Sequence, residues 1–106
     1  MVYHHWYDRT AMVTVYKYKL DEYGVTELKD RFVGVLKVAW QGEDLCVWCL
    51  VSDLMKESLM TFYSLPTGYE FSLKENMHYL DSVQDGPYVW HIFYETFADR
   101  CKKGEN

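Results

Sequence analysis

Proline is scarce in this 106-residue chain, at two positions, and its six glycines stand singly. Those absences exclude a Pro/Gly-rich low-complexity segment, and they leave no cluster of glycines to cradle a phosphate. The three cysteines are odd in number and follow no dense pattern. A disulfide-built secreted scaffold is therefore excluded, and a reducing compartment is the natural reading. Basic residues are outnumbered, 11 Lys and Arg against 16 Asp and Glu, for a net charge of −5. A direct nucleic-acid binder would carry a basic stripe, so none is expected here. The longest apolar run, Leu45 to Val51, has seven residues, far short of the roughly 20 that cross a bilayer. Met1 to Arg9 has neither a basic n-region nor an apolar h-region. The expectation is a cytoplasmic protein with no leader and no membrane contact.

What is present is apolar and aromatic. Hydrophobic residues make up 49% of the chain, with ten Tyr, four Trp and five Phe. One domain of this size buries about two-thirds of its unfolded surface, enough for a core without metal or disulfides. Residues 1–10 are polar and aromatic without periodicity and read as an N-terminal arm; residues 11–106 read as a single β-rich domain.

Period-2 patterning organises that domain. Met12 to Leu20 places Tyr16, Tyr18 and Leu20 on one face and Lys17 and Lys19 on the other. Val25 to Leu28 reads as a short edge strand after the Asp21–Gly24 turn. Val33 to Trp40 sets Leu36, Val38 and Trp40 on one face, and Gln41–Asp44 turns the chain into Leu45 to Val51. That returning strand has no polar face, which predicts a central position covered on both sides. Ser52 or Asp53 is expected to cap a single helical turn. Leu59 to Leu65 forms a further strand that ends in the Pro66–Tyr69 turn, and Met77 to Val83 pairs through Gln84–Pro87 with Tyr88 to Tyr94. Glu95 to Lys103 has helical composition. The fold class is mainly β: a small antiparallel sheet, sandwich or partly open barrel of five to seven strands with a short C-terminal helix.

Catalytic signals are weak. Cys46-Val47-Trp48-Cys49 matches C-x-x-C, but inside a strand the two thiols point to opposite faces and can neither pair nor share a metal. His4 and His5 are adjacent in the arm, with no helical ligand spacing. His78 and His91 are expected to face each other across the last hairpin. No serine carries an elbow motif, and the carboxylates lie in solvated loops. We therefore expect no enzyme, no catalytic residues, no metal and no cofactor. The aromatic surplus points instead to binding, because a core this small houses only about half of it.

The residues Val15 to Leu20, Val35 to Gly42, Leu45 to Val51, Thr67-Gly68 and Tyr88 to Phe93 together resemble a family of small uncharacterised proteins common in bacteriophage genomes. Its pattern is a Y-K-Y-x-L strand, a Q-x-G hairpin, a W-x-L-V strand, a G-T-G turn and a closing V-W-H-x-F strand. The resemblance spans residues 15–94 and departs from the pattern at Pro66-Thr67-Gly68-Tyr69. It implies a phage accessory protein that binds and inhibits or modulates a host defence protein, with no activity to carry over. The alternative is a sponge for a nucleotide signal, stacking a base on Trp or Tyr near the Thr67-Gly68 backbone, with Lys37 or Arg31 supplying charge. Binding residues expected under these readings are Trp40, Tyr63, Thr67, Gly68, Tyr69, Tyr88, Trp90 and His91. Both faces of Leu45–Val51 and of Tyr88–Tyr94 need cover, which further predicts a homodimer.

Overall fold

The structure, a computed structural model, describes residues 12–96. They form seven strands: β1 (Val13–Lys19), β2 (Gly24–Asp30), β3 (Phe32–Gln41), β4 (Asp44–Ser52), β5 (Ser58–Pro66), β6 (Met77–Asp85) and β7 (Tyr88–Thr96). A three-stranded sheet runs β1-β4-β3 and a four-stranded sheet runs β2-β5-β7-β6. All pairings are antiparallel. The architecture is an open sandwich, not a closed barrel, and no helix occurs among the described residues. Residues 1–10, read as an arm, lie outside the described part. The expected C-terminal helix is corrected at its start: Glu95 and Thr96 complete β7 in register with β5, and residues 97–103 lie outside the described part.

The core forms where the two inner faces meet. In β4, Leu45, Val47, Cys49 and Val51 alternate inward and are fully or almost fully buried. They join Phe62 of β5 and Trp90 and Ile92 of β7 in one cluster, with Phe32, Val38, Met60 and Val83 around it. β4 does lie at the centre of its sheet. Its outer side is covered only partly: Cys46 is buried, while Trp48 and Leu50 are half-buried and Lys37 lies 5.8 Å over the Trp48 ring. The two thiols of the C-x-x-C run therefore sit on opposite faces, both free.

Two bulges reset the alternation in β3. Its register against β4 slips between Phe32 and Gly34 and again between Val35 and Lys37. An extra residue shifts every later side chain to the other face. Leu36 is the inserted residue, so it is exposed and does not share the inward face of Val38 and Trp40. The predicted cap is also corrected. Ser52 ends β4 with its Oγ accepting from the Leu54 N–H at 3.2 Å and its carbonyl accepting from the Met55 N–H at 3.2 Å, which makes a turn and no helix.

Turn chemistry fixes the hairpin registers. Asp85 pairs with Tyr88, leaving Gly86 (φ 60°) and Pro87 as the two-residue loop. Positive φ followed by the fixed negative φ of proline is a type II′ turn, whose twist matches antiparallel strands. The sheet edges are tied across the sandwich. Tyr18 donates to Asp30 at 2.6 Å, and the Trp40 indole N–H donates to the Gln84 carbonyl at 2.8 Å.

Burial, then the Asp30 charge, pushes the Cys49 thiol up to about 12. Burial, then the bond and charge of Asp30, likewise raises the Tyr18 phenol above its ordinary range. Both groups are neutral in the fold, and the unfolded thiol ionises first, near 9.0. Their contribution is complete below that pH and is lost as pH rises through the folded values, at no more than about 1.4 kcal/mol per pH unit for each group. Thermal unfolding followed by circular dichroism should therefore show melting temperature falling between pH 9 and 12, less steeply for Cys49→Ala. Independently, Phe62→Ala should cost about 3–5 kcal/mol in urea unfolding. Exposed Leu73→Ala should change stability by less than about 0.5 kcal/mol.

Candidate ligand-binding groove

The connection from β5 to β6 builds the most developed surface feature. Pro66 to Tyr69 form a type II turn, closed by the Tyr69 N–H on the Pro66 carbonyl at 3.2 Å, with Gly68 at φ 89° in the position that needs it. Thr67 anchors the turn to β7. Its N–H donates to the Val89 carbonyl at 3.3 Å, and its Oγ1 lies 2.8 Å from His91 Nε2. The chain then returns over the outer face of the four-stranded sheet, where Phe71 packs edge-on to Phe93 at 5.2 Å. Asn76 pins the far end by donating to the Thr96 carbonyl at 2.9 Å. Part of the cover that β7 needs is thus supplied by its own chain.

Beneath this connection lies a buried carboxylate. Glu95 faces outward from β7, is 1% exposed, and accepts the Tyr63 hydroxyl at 2.6 Å on Oε1. Lys74 Nζ stands 3.9 Å from the same oxygen and 5.7 Å over the Tyr63 ring. Burying a carboxylate is costly unless it is paired and hydrogen-bonded, so these partners hold Glu95 in place. Two buried side-chain polar atoms have no hydrogen-bond partner among the described residues, Glu95 Oε2 and Trp90 Nε1.

β2 begins at Gly24 opposite Ser64, so Leu65 and Pro66 extend past it without a neighbour on that side. Tyr23 and Trp90 meet there, edge to face at 5.0 Å. A groove of about 580 Å³ runs from this point along Tyr63, Tyr69, Phe71 and Lys74. A second hollow of about 490 Å³ lies on the other side of the Tyr23–Trp90 pair, walled by Pro66, Pro87 and Tyr88. Both volumes are in the range of small-ligand and peptide sites. The rims are aromatic and open to solvent: Tyr23 is 70%, Tyr69 58% and Tyr88 64% exposed.

Of the residues expected from sequence, Tyr63, Tyr69 and Trp90 line the larger groove, and Tyr88 joins Trp90 at the smaller one. Thr67, Gly68 and His91 form the anchored turn beside them. Trp40 lines neither of these two but borders a third hollow with Glu22, Glu43, Gln84 and Asp85. The expected His78–His91 pair is not formed. His78 is in register with Tyr94, against which it packs at 5.3 Å, whereas His91 is in register with Ser82 and bonds Thr67. Lys37 and Arg31 do not gather at the Thr67-Gly68 turn. Lys37 lies on Trp48, and Arg31 donates to the Met55 carbonyl at 2.6 Å. Sequence reasoning missed Tyr23, Phe71, Lys74 and Glu95. Tyr23 lies in the Asp21–Gly24 turn, and the helical composition of residues 95–103 hides Glu95. Among the described residues no three His, Cys, Asp or Glu side chains are grouped to hold a metal ion, and no helix is long and apolar enough to cross a membrane.

A family model described as a domain of unknown function, DUF7352, matches residues 12–100. The chain belongs to the DUF7352 family. The matched span contains all seven strands and both hollows of the groove, so these features lie within the DUF7352 domain itself. No curated protein and no solved structure matches the chain.

The Tyr63–Glu95 bond yields a stability test. Tyr63→Phe removes the hydroxyl donor from a buried carboxylate and should cost about 1–3 kcal/mol. Urea unfolding at neutral pH measures it. A loss below about 0.3 kcal/mol would mean that water replaces the hydroxyl.

Proposed function

We propose that this protein is a non-enzymatic accessory protein that binds a segment of another protein in the aromatic groove and thereby inhibits or modulates it. The observation that carries the reading is the exposure of Tyr23, Tyr69, Phe71 and Tyr88 around two joined hollows. Large aromatic side chains left in water are a poor use of apolar area unless a partner covers them. Tyr in particular supplies contact area at low entropic cost and dominates binding hot spots. A phage protein acting on a host defence protein in the cytoplasm is the specific form of this proposal, taken from the sequence resemblance.

The nucleotide-sponge reading has less support. The larger groove has one cationic side chain on its lining, Lys74, which already lies 3.9 Å from Glu95. Phosphate recognition normally gathers several cations or backbone N–H groups. The homodimer is part of the proposal as well. Val13, Val15, Trp48 and Leu50 share the outer side of the three-stranded sheet, where Val13 and Val15 are exposed and Trp48 and Leu50 only half-buried, and a second copy would cover that strip.

Affinity capture from a bacterial host lysate tests the main reading, with Tyr23→Ala/Tyr69→Ala as the control. Both positions are exposed but Tyr23 packs on Trp90, so an unchanged melting temperature is required of the control. The expected result is a stoichiometric protein partner held by the natural chain and lost by the control. No partner, or one held equally by both, would refute the reading. A cyclic dinucleotide that raises stability by about 2.7 kcal/mol at a hundredfold excess over its Kd would favour the sponge instead. Light scattering coupled to gel filtration checks the dimer, which a mass near 12.7 kDa would exclude.

A further inference from the structure

Three hollows lie end to end across one end of the sandwich. The 580 Å³ groove and its 490 Å³ neighbour share Tyr23, Pro66 and Trp90. That neighbour shares Asp85 and Gly86 with the third hollow, also about 490 Å³. The track changes character along its length. The first two hollows are walled by aromatic rings and by Pro66 and Pro87, and are divided by the Tyr23–Trp90 ridge. The third is acidic, lined by Glu22, Glu43 and Asp85 with no Lys or Arg.

We infer that the occupant is an extended, proline-containing segment in the polyproline II conformation, with an arginine or lysine at the end that reaches the acidic hollow. The inference rests on the protein-binding reading above and names the kind of segment bound. A track of joined hollows fits a linear chain better than a compact ligand. It crosses the end of β5, the start of β7 and the β6–β7 turn instead of following one strand edge, and the unpaired β5 edge there is only Leu65 and Pro66, too short a ladder for an added β-strand. Polyproline II rises about 3.1 Å per residue with three residues per turn, so it presents a similar face about every 9 Å. Successive prolines can therefore enter hollows on either side of an aromatic ridge. The conformation is preformed, and little entropy is lost on docking.

One polar feature matches the same occupant. At the far end, three carboxylates without a lining cation favour a positive side chain and disfavour a negative one, which sets the direction of the bound chain.

The test uses the full chain and fluorescein-labelled decapeptides of Ala-Pro-Pro repeats carrying arginine at either end. Fluorescence anisotropy should give micromolar binding for one of the two orientations. Glutamate in place of arginine should weaken it by about tenfold, and alanine in place of all prolines should abolish it. Tyr23→Ala and Tyr88→Ala should each weaken binding by at least about fivefold. Glu43→Lys should erase the preference for arginine. These positions are exposed, and an unchanged melting temperature confirms that each variant is folded. Selection from a random peptide library on the same protein completes the test. Enrichment of proline with a terminal basic residue supports the inference. Enrichment of another sequence class that still depends on Tyr23 and Tyr88 overturns it and leaves the protein-binding reading standing. No binding by any peptide overturns both.

Discussion

The inward face of β4 is the constraint on which the molecule depends. Leu45, Val47, Cys49 and Val51 must be kept from water together, and no strand of their own sheet can do this. Only a second sheet laid across them closes the core, and Phe62, Trp90 and Ile92 supply its centre. Such face-to-face packing joins side chains of both sheets in one layer about 10 Å thick. The sandwich stays open at its edges, and side-chain bonds such as Tyr18–Asp30 and the one from Trp40 to Gln84 tie one sheet to the other.

That arrangement decides where the remaining aromatic residues go. The core takes Phe62, Trp90 and Phe32, with Tyr18, Trp40 and Tyr94 packed against it, and several of the remaining rings fall in turns and connections beside the groove. Phe71 and Tyr69 belong to the long β5–β6 connection that folds over the outer sheet face, Tyr23 comes from the turn before β2, and Tyr88 begins β7. The groove is thus a consequence of β2 starting at Gly24, later than its neighbour extends, which leaves a gap that turns and connections border. Its rim is built on turns, but Pro66, Thr67 and Pro87 fix those turns through ring geometry and hydrogen bonds. A preformed aromatic surface loses little entropy on binding.

The buried Glu95 illustrates how a single misplaced boundary conceals a site residue. Its neighbours in sequence, Thr96 and the charged residues beyond, have helical composition, and a lone glutamate near a terminus looks solvated. Only the extension of β7 against β5 and the passage of Lys74 over Tyr63 give it a buried environment. The histidines tell a similar story. Residues on paired strands face each other only in the correct register, and the bulge between Tyr79 and Asp81 helps fix which residues of β6 face β7. His78 therefore meets Tyr94, and His91 is free to bond Thr67.

The sequence by itself determined the strand positions, the hairpin turns and the central place of β4, because period-2 alternation and Gly or Pro punctuation act over a few residues. It also determined that Cys46 and Cys49 diverge, since side chains three apart on a strand take opposite faces. Tertiary structure alone decided the division into two sheets, the inserted Leu36, the cover over Glu95 and the meeting of Tyr23 with Trp90. Each of those depends on which strands become neighbours, and that choice is made by burying β4's inward face against residues far away in the chain.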